Sequence, residues 1–336
     1  EYLAAHRIEV KEYDTVVDFL KALPAGNAIL VDNRYCSYTL YKTLQKNQQL
    51  IEGKNPTELL KAIKNPVEQA RMQEIFLKDS VAVTKFIYWL KTHVGKEKIT
   101  EVTAADYLEQ KRREIPEFLD LSFPTIAGYK SNAAMMHYEA TKDVYSEVKP
   151  EGMLLVDSGG QYMRGTTDIT RTIALGPVTD EMKMYYTLTL KGMLSLANAK
   201  FLKGCNGFSL DILARAPLWN VGMDYRCGTG HGIGYLLNVH ESPNGFRWKH
   251  NPGKNDLAVI EEGMVTSDEP GVYIEGRFGI RIENEIVCQK DFDNEYGTFL
   301  KFDMLTVVPI DLELVDVNYL DAVDIERLNK YQERVY

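Results

Sequence analysis

Three observations predict an α+β fold with a curved antiparallel sheet and flanking helices, preceded by a smaller α/β region. Helix-periodic segments and strand-like ones come in blocks along the chain rather than in strict alternation, which favours helices packed on an antiparallel sheet. The G-x-G-x-x-G fingerprint of a doubly wound dinucleotide fold is missing, because GTGHGIG from Gly228 has alternating glycines and GKN at Gly53 is no phosphate loop. The 336 residues exceed the usual ~100 to 200 of one domain, so one large domain or two unequal ones is expected.

Each element follows from local chemistry. From Asp14 to Leu23 the apolar spacing is helical with Asp14 as N-cap, AILVD from Ala28 reads as a short buried strand, and a second helix follows near Ser37. Asn65, Pro66 and Glu68 supply a cap, a first-turn proline and an acid three residues on, opening a helix toward Val94. The domain boundary is placed there, giving an α/β region over 1–64 and a main domain over 65–336. Further helices are expected over Thr103–Ile115, stopped by Pro116, and over Asp180–Phe201 and Ser209–Val221. MLLVDSGGQY, TTDITRTIAL, GMVTSDEP and FGIRIENEIV combine β-branched residues with turn formers and read as strands, and a polar helix closes the chain from Asp321.

Composition removes several function classes. Hydrophobic residues at 45% and charged residues at 26% suit a chain with a sizeable buried core. A formal charge of −9, with the acidic excess beyond residue 64, leaves no electrostatic footprint for nucleic acid. Every apolar stretch is broken before the ~18 residues a membrane span needs, so no membrane partner is expected. Cys36, Cys205, Cys227 and Cys288 are widely spaced without a CxxC pair, which argues against a zinc knuckle or disulfide framework and for a reducing, cytoplasmic location. The first residue is Glu1 and not Met, so the start of the chain carries no information on targeting.

The chemistry-bearing residues gather in the main domain. His137, His231 and His240 stand beside strand-like runs, and each taken alone would read as a satisfied core histidine. Asp157 ends the apolar run MLLV, where a buried carboxylate needs a cation or several donors, although it could also cap a turn. Asp168 shares a strand face with Thr170 and Thr172 while Ile169 and Ile173 point away, and a solvent-facing acid fits as well. Arg281 and Glu283 alternate with Ile280 and Ile282, as an ion pair also would, and Glu269 in SDEPG could be a turn acid. Together, two Asp, two Glu and a His near strand ends form the oxygen-rich, imidazole-containing set that a pair of divalent cations requires.

VDSGGQY, GTTDITRT, GTGHGIGYLLNVHE, SDEPGVY and FGIRIENE, in this order, with LSFPTI and HYEAT upstream, closely resemble the motif series of the aminopeptidase P family of metallopeptidases, most of all its long cytosolic form. The likeness covers about residues 65 to 320 and implies the pita-bread fold. It implies that Asp157, Asp168, His231, Glu269 and Glu283 bind two divalent ions, Mn2+ first and Co2+ or Zn2+ as alternatives, with Asp168 and Glu283 bridging. His137 and His240 match the family's two non-ligand histidines, and Arg281 supports the ligands from behind. The implied substrate is a peptide with proline in second position, and the implied assembly is a homodimer. A prolidase acting on Xaa-Pro dipeptides is the near alternative. A non-catalytic pita-bread peptide-binding protein is the distant one, since such relatives lose ligands and all five are present here. The residues before 65 resemble the last part of a middle domain, so the chain is expected to be truncated.

Two cations sharing carboxylates acidify a water between them, and Glu269 can take its proton. His240 then donates to the developing oxyanion. A proline nitrogen must be protonated as it leaves, a task for His137. Gly228, Gly230, Gly232 and Gly234 let backbone pass close to metal and substrate, with tight turns as the plainer reading. One departure stands out: Cys227 occupies the place of a family histidine that lines the proline-side pocket, either altering substrate affinity or serving as small apolar filler.

Overall fold

The computed structural model describes residues 1–250 and 258–336, which divide into two compact units, Glu1–Leu60 and Lys61–Tyr336. In the first unit, Ala28–Val31 pairs in parallel with Gln49–Glu52, and Ser37 caps the Tyr38–Leu44 helix by accepting from the Leu40 N–H. Two expectations are corrected here. Asp14 lies inside a 3-10 turn, Tyr13–Thr15, and caps nothing, the helix itself being Val16–Ala22. The Ala28–Val31 strand buries only Val31, because no apolar layer covers the other positions within this unit.

In the second unit the Pro66–His93 helix starts as its sequence requires: Asn65 and Glu68 form a reciprocal capping box around Pro66. Thr100 caps Glu101–Arg113 in the same way. These two helices bury Met72, Ile75, Phe76, Ala104 and Leu108 against Leu154, Val156, Ile169 and Ile173 of an antiparallel sheet. That sheet sets Met153–Ser158 between Ile126–Tyr129 and Ile169–Ala174. The Asp180–Ala197, Ile212–Trp219 and Ala322–Val335 helices share a second core with the strands from Gly271 to Met304. All strand pairs described in this unit are antiparallel, in agreement with the α+β reading.

Two helix ends fall short of expectation. The chain leaves the helix at Ala197, and Lys200–Leu202 joins the edge of a four-stranded sheet, so Phe201 enters the core from a strand. The expected Ser209–Val221 helix is two pieces, Gly207–Leu210 and Ile212–Trp219, with Pro217 inside the second.

A buried polar cluster joins the first helix pair to the strands. Asp79 accepts from Arg112 Nε (2.7 Å), Tyr162 OH (2.6 Å) and Thr167 Oγ1 (2.7 Å), and Arg112 Nη2 also donates to Ser158 O (3.2 Å). Asp79, Arg112, Tyr162 and Thr167 are all fully buried, so their mutual bonds are what offsets their lost hydration. No helix among the described residues is long and apolar enough to cross a membrane.

Candidate metal centre

Where the chain passes between sheets, it sets down acids. Phe278–Arg281 pairs with Gly271–Ile274, while Asn284–Asn294 pairs with Val265–Asp268, so the run read as one strand changes sheets at Ile282 and Glu283. Glu269 stands at the matching crossing between Asp268 and Gly271. The Glu283 N–H reaches a third sheet by donating to Thr170 O at 3.1 Å. Arg171, buried behind it, donates from Nη1 to Glu283 O at 2.6 Å.

These crossings converge on His231. The ligand atoms of Asp168, His231 and Glu283 all lie within 4.8 Å of one another. His231 Nε2 is 3.6 Å from Asp168 Oδ2 and 3.3 Å from Glu269 Oε1. His231 Nδ1 is 3.0 Å from Gly232 O, which can only accept, so the proton resides on Nδ1 and the Nε2 lone pair faces the carboxylates. The residue is held at its backbone as well, with the His231 main-chain N–H donating to Ser267 Oγ at 2.9 Å. Ser267 Oγ in turn donates to Glu269 Oε1 at 3.0 Å. Asp157 joins the group through Arg281, whose Nη2 donates to Asp157 Oδ2 at 2.6 Å and whose Nη1 donates to Tyr273 OH at 2.7 Å. Arg281 Nε donates to Thr170 Oγ1, which donates to Glu283 Oε2 at 2.6 Å.

The hairpin that carries His231 explains the glycines. Gly230–His231 pairs with Gly245–Phe246, and a Cβ on Gly230 would stand 1.8 Å from Ser267 O. One on Gly232 would stand 2.1 Å from Glu241 O. The close approach is therefore between neighbouring backbones, and it is what lets the hairpin lie against the Val265–Asp268 strand.

The electrostatics are those of a site built for cations. Burial, then the charges of Glu283 and Asp157, pushes the Asp168 carboxyl well above the usual carboxylate range. Burial and the Glu269 and Asp157 charges do the same to Glu283. Glu269 is pushed up to about 7, chiefly by burial and by Asp157 against the lowering effect of Arg281. Burial and neighbouring His240 push His231 down to about 3, so its ring is a neutral donor at pH 7. Asp157 Oδ1 and Asp168 Oδ1 are buried without hydrogen-bond partners. Buried carboxylates with unsatisfied oxygens demand compensating charge, and divalent ions satisfy exactly that electrostatic need in an O/N donor set, so the residues fit a two-metal centre.

The other expected residues border this cluster. The His240 ring meets that of His231 edge-on at 4.1 Å between centroids. His137 is exposed and follows Met136, whose carbonyl accepts from Arg281 Nη2 at 3.4 Å. Cys227 is partly buried, and its thiol is pushed up to about 12 by burial and then by Glu269. Thr170, Ser267, Tyr273 and Arg171 were not read as supporting residues from sequence. Asp168 stands just before the Ile169–Ala174 strand, and Thr170 joins the site through its bond to Glu283, a partner far along the chain; Ser267, Tyr273 and Arg171 likewise give no local signal.

The chain belongs to metallopeptidase family M24: that family's model matches residues 70–290, flanked by matches to a Creatinase/Prolidase N-terminal domain over 1–68 and to the C-terminal region of the M24 peptidases over 298–336. Among individual proteins it is similar to Aminopeptidase P1 of Arabidopsis thaliana, with 39% identity over 90% of this chain and 50% of the relative. It is also similar to Xaa-Pro aminopeptidase 2 of Rattus norvegicus, with 38% identity over 98% of this chain and 48% of the relative. Among solved structures it resembles the X-prolyl aminopeptidase of Caenorhabditis elegans, a cytosolic enzyme with a di-nuclear active site, at 31% identity and a TM-score of 0.89, over 99% of this chain and 55% of that one. The pita-bread architecture expected from the motifs is that of these relatives. The chain spans about half the length of the curated relatives it matches.

Proposed function

We propose that this chain is the catalytic part of a two-metal hydrolase that releases the N-terminal residue from peptides with proline in second position. The observation that carries the reading is the convergence of Asp168, His231 and Glu283 within 4.8 Å, with Glu269 3.3 Å from the imidazole. The names of the relatives support the proline-specific substrate. The resemblance supports manganese as the ion, a homodimer, a cytoplasmic location and a catalytic domain beginning at the capped helix of Asn65.

In this reading Asp157, Asp168, His231, Glu269 and Glu283 would hold the ions. When bound, the ions supply Lewis acidity that acidifies water and polarises the scissile carbonyl. Glu269 takes up the water's proton on a carboxylate oxygen. His240, beside His231, donates a hydrogen bond to the carbonyl oxygen as negative charge develops there. His137 delivers a proton to the departing proline nitrogen. Arg281 keeps Asp157 oriented through its 2.6 Å bond and leaves the other carboxylate oxygen without a hydrogen-bond partner.

The test measures metal content and hydrolysis together. Protein saturated with manganese is expected to bind two ions and to cleave an Ala-Pro-Ala tripeptide at its first bond. Cleavage of Ala-Pro alone, with the tripeptide untouched, would assign a prolidase instead. Binding of two ions and of the tripeptide without turnover would assign a binding protein.

A further inference from the structure

Glu101 opens the Glu101–Arg113 helix and is fully buried, yet it belongs to no catalytic motif. Its carboxylate gathers four neutral donors from a single stretch of chain. Oε1 accepts from the Tyr129 N–H at 2.7 Å and from Asn132 Nδ2 at 2.9 Å. Oε2 accepts from Tyr138 OH at 2.8 Å and from the Ser146 N–H at 2.6 Å. The Glu101 N–H returns a bond to Ser146 O at 3.1 Å. A buried carboxyl group with its two oxygens filled in this way is a strong tie, because each of the four donors would otherwise lose its partner away from water.

The geometry of that tie is selective. Tyr129 and Ser146 are the two ends of the segment, and Tyr138 stands next to His137 in its middle. The opposite side of the segment is fixed by the metal-site scaffold. Met136 O accepts from Arg281 Nη2, and a Cβ on Gly279 would stand 1.8 Å from Ala133 O, so this backbone lies directly against the Phe278–Arg281 strand. His137, itself exposed, is thus carried between a residue tied to Arg281 and a residue tied to Glu101. An exposed imidazole on a long irregular segment has many rotations open to it. Two flanking anchors restrict the backbone that aims it.

We propose that Glu101 is a positioning residue for His137: it closes the 129–146 segment at both ends and holds Tyr138, so that the neighbouring imidazole is aimed at the departing amine while Glu101 never touches substrate. The proposal rests on the aminopeptidase reading for the role of His137, and on the hydrogen bonds alone for the clamp.

Two variants test it. Glu101→Gln keeps the size but turns one acceptor into an NH2 group that faces other donors, and Tyr138→Phe removes the bond its hydroxyl donates to Glu101 and the one it accepts from Asn132 Nδ2. With manganese saturating and an Ala-Pro-Ala peptide as substrate, Tyr138→Phe is expected to lower kcat roughly tenfold with KM within about twofold. Metal stoichiometry is expected to stay at the parent value, and Tm is expected to fall, because a buried carboxylate loses one of its donors. Placed on a His137→Ala background, Tyr138→Phe is expected to have no further effect on kcat. An equal loss in both backgrounds, or an unchanged kcat in the single variant, would overturn the positioning role. Hydrogen exchange reads the clamp without activity: in Glu101→Gln the Tyr129 and Ser146 amides are expected to exchange faster, and unchanged exchange would overturn the clamp whatever the kinetics. If metal-loaded parent protein fails to cleave the peptide, the aminopeptidase reading falls, and the exchange result then decides the clamp by itself. If Glu101→Gln does not fold, faster exchange of the Ser146 amide in Tyr138→Phe supports the clamp and parent-rate exchange there overturns it.

Discussion

Arg281 Nη2 and Asp157 Oδ2 are 2.6 Å apart, and both residues are almost completely buried. This contact joins the guanidinium to one carboxylate of the cluster and leaves Asp168, Glu269 and Glu283 with more negative charge than the neighbouring protein neutralises. Several measurable consequences come from that imbalance and from the polar clusters that hold it in place.

Glu283→Gln is expected to abolish turnover, because a neutral amide cannot bridge two cations as a carboxylate does. Metal stoichiometry should fall below two, read by elemental analysis of dialysed protein. The metal-free variant should be no less stable than the metal-free parent, since one of several mutually repelling buried charges has been removed. Turnover at the parent rate with metal saturating would contradict the bridging assignment.

Metal removal should make stability depend on pH in a stated direction. Glu269 rises from 4.5 to about 7 in the folded, metal-free protein. A carboxyl whose folded pKa is raised contributes stability that is fully present below its unfolded pKa and is lost as pH rises through the folded one. Unfolding midpoints of metal-free protein should therefore fall between pH 4.5 and about 7. Saturating manganese should remove most of that fall at pH 7 and raise the midpoint, by about 2.7 kcal/mol of stability for each ion bound at a hundredfold excess over its Kd. A metal-free midpoint that climbs across this window would contradict the clustering of like charges.

Asp79→Ala should destabilise the metal-loaded protein by about 3–5 kcal/mol, because it strands the buried Arg112 guanidinium. The same change frees Thr167, which donates to Asp79 and stands next to Asp168, and loosens Arg112, which donates to Ser158 O beside Asp157. Metal affinity, measured by titration calorimetry below the unfolding transition, should weaken along with the urea midpoint. A loss under ~1 kcal/mol would show that water replaces the carboxylate.

Cys227→His should lower KM on an Xaa-Pro-Xaa peptide with little change in kcat, by roughly fivefold, if the donated bond is made equally in ground and transition states. With its thiol pushed up to about 12, Cys227 is protonated at neutral pH and offers only a weak S–H donor. Both proteins must be compared with manganese saturating. Equal KM values would make Cys227 a filler of the pocket wall, and a rise in kcat alone would move the position to transition-state stabilisation.

The sequence by itself determined the class of fold, the capped helix start at Asn65 and the helix that closes the chain from Asp321, because caps and periodicity are local properties. It read Asp168 as part of a strand with Thr170, whereas the strand begins at Ile169 and the acid stands just before it. Only the tertiary structure decided where the strand after Arg281 changes sheets, which places Glu283 at a crossing, since that depends on which distant strand supplies hydrogen-bond partners. Only it decided that Arg281 pairs with Asp157 rather than with Glu283. The Asp79–Arg112 and Glu101–Tyr138 clusters were likewise illegible, as their partners are far apart in the chain and a buried Asp or Glu on a helix reads locally as a solvated one. Burial is what turns such a residue into an anchor, and burial is a property of the packed molecule: a carboxylate cut off from water must find its donors wherever the fold brings them.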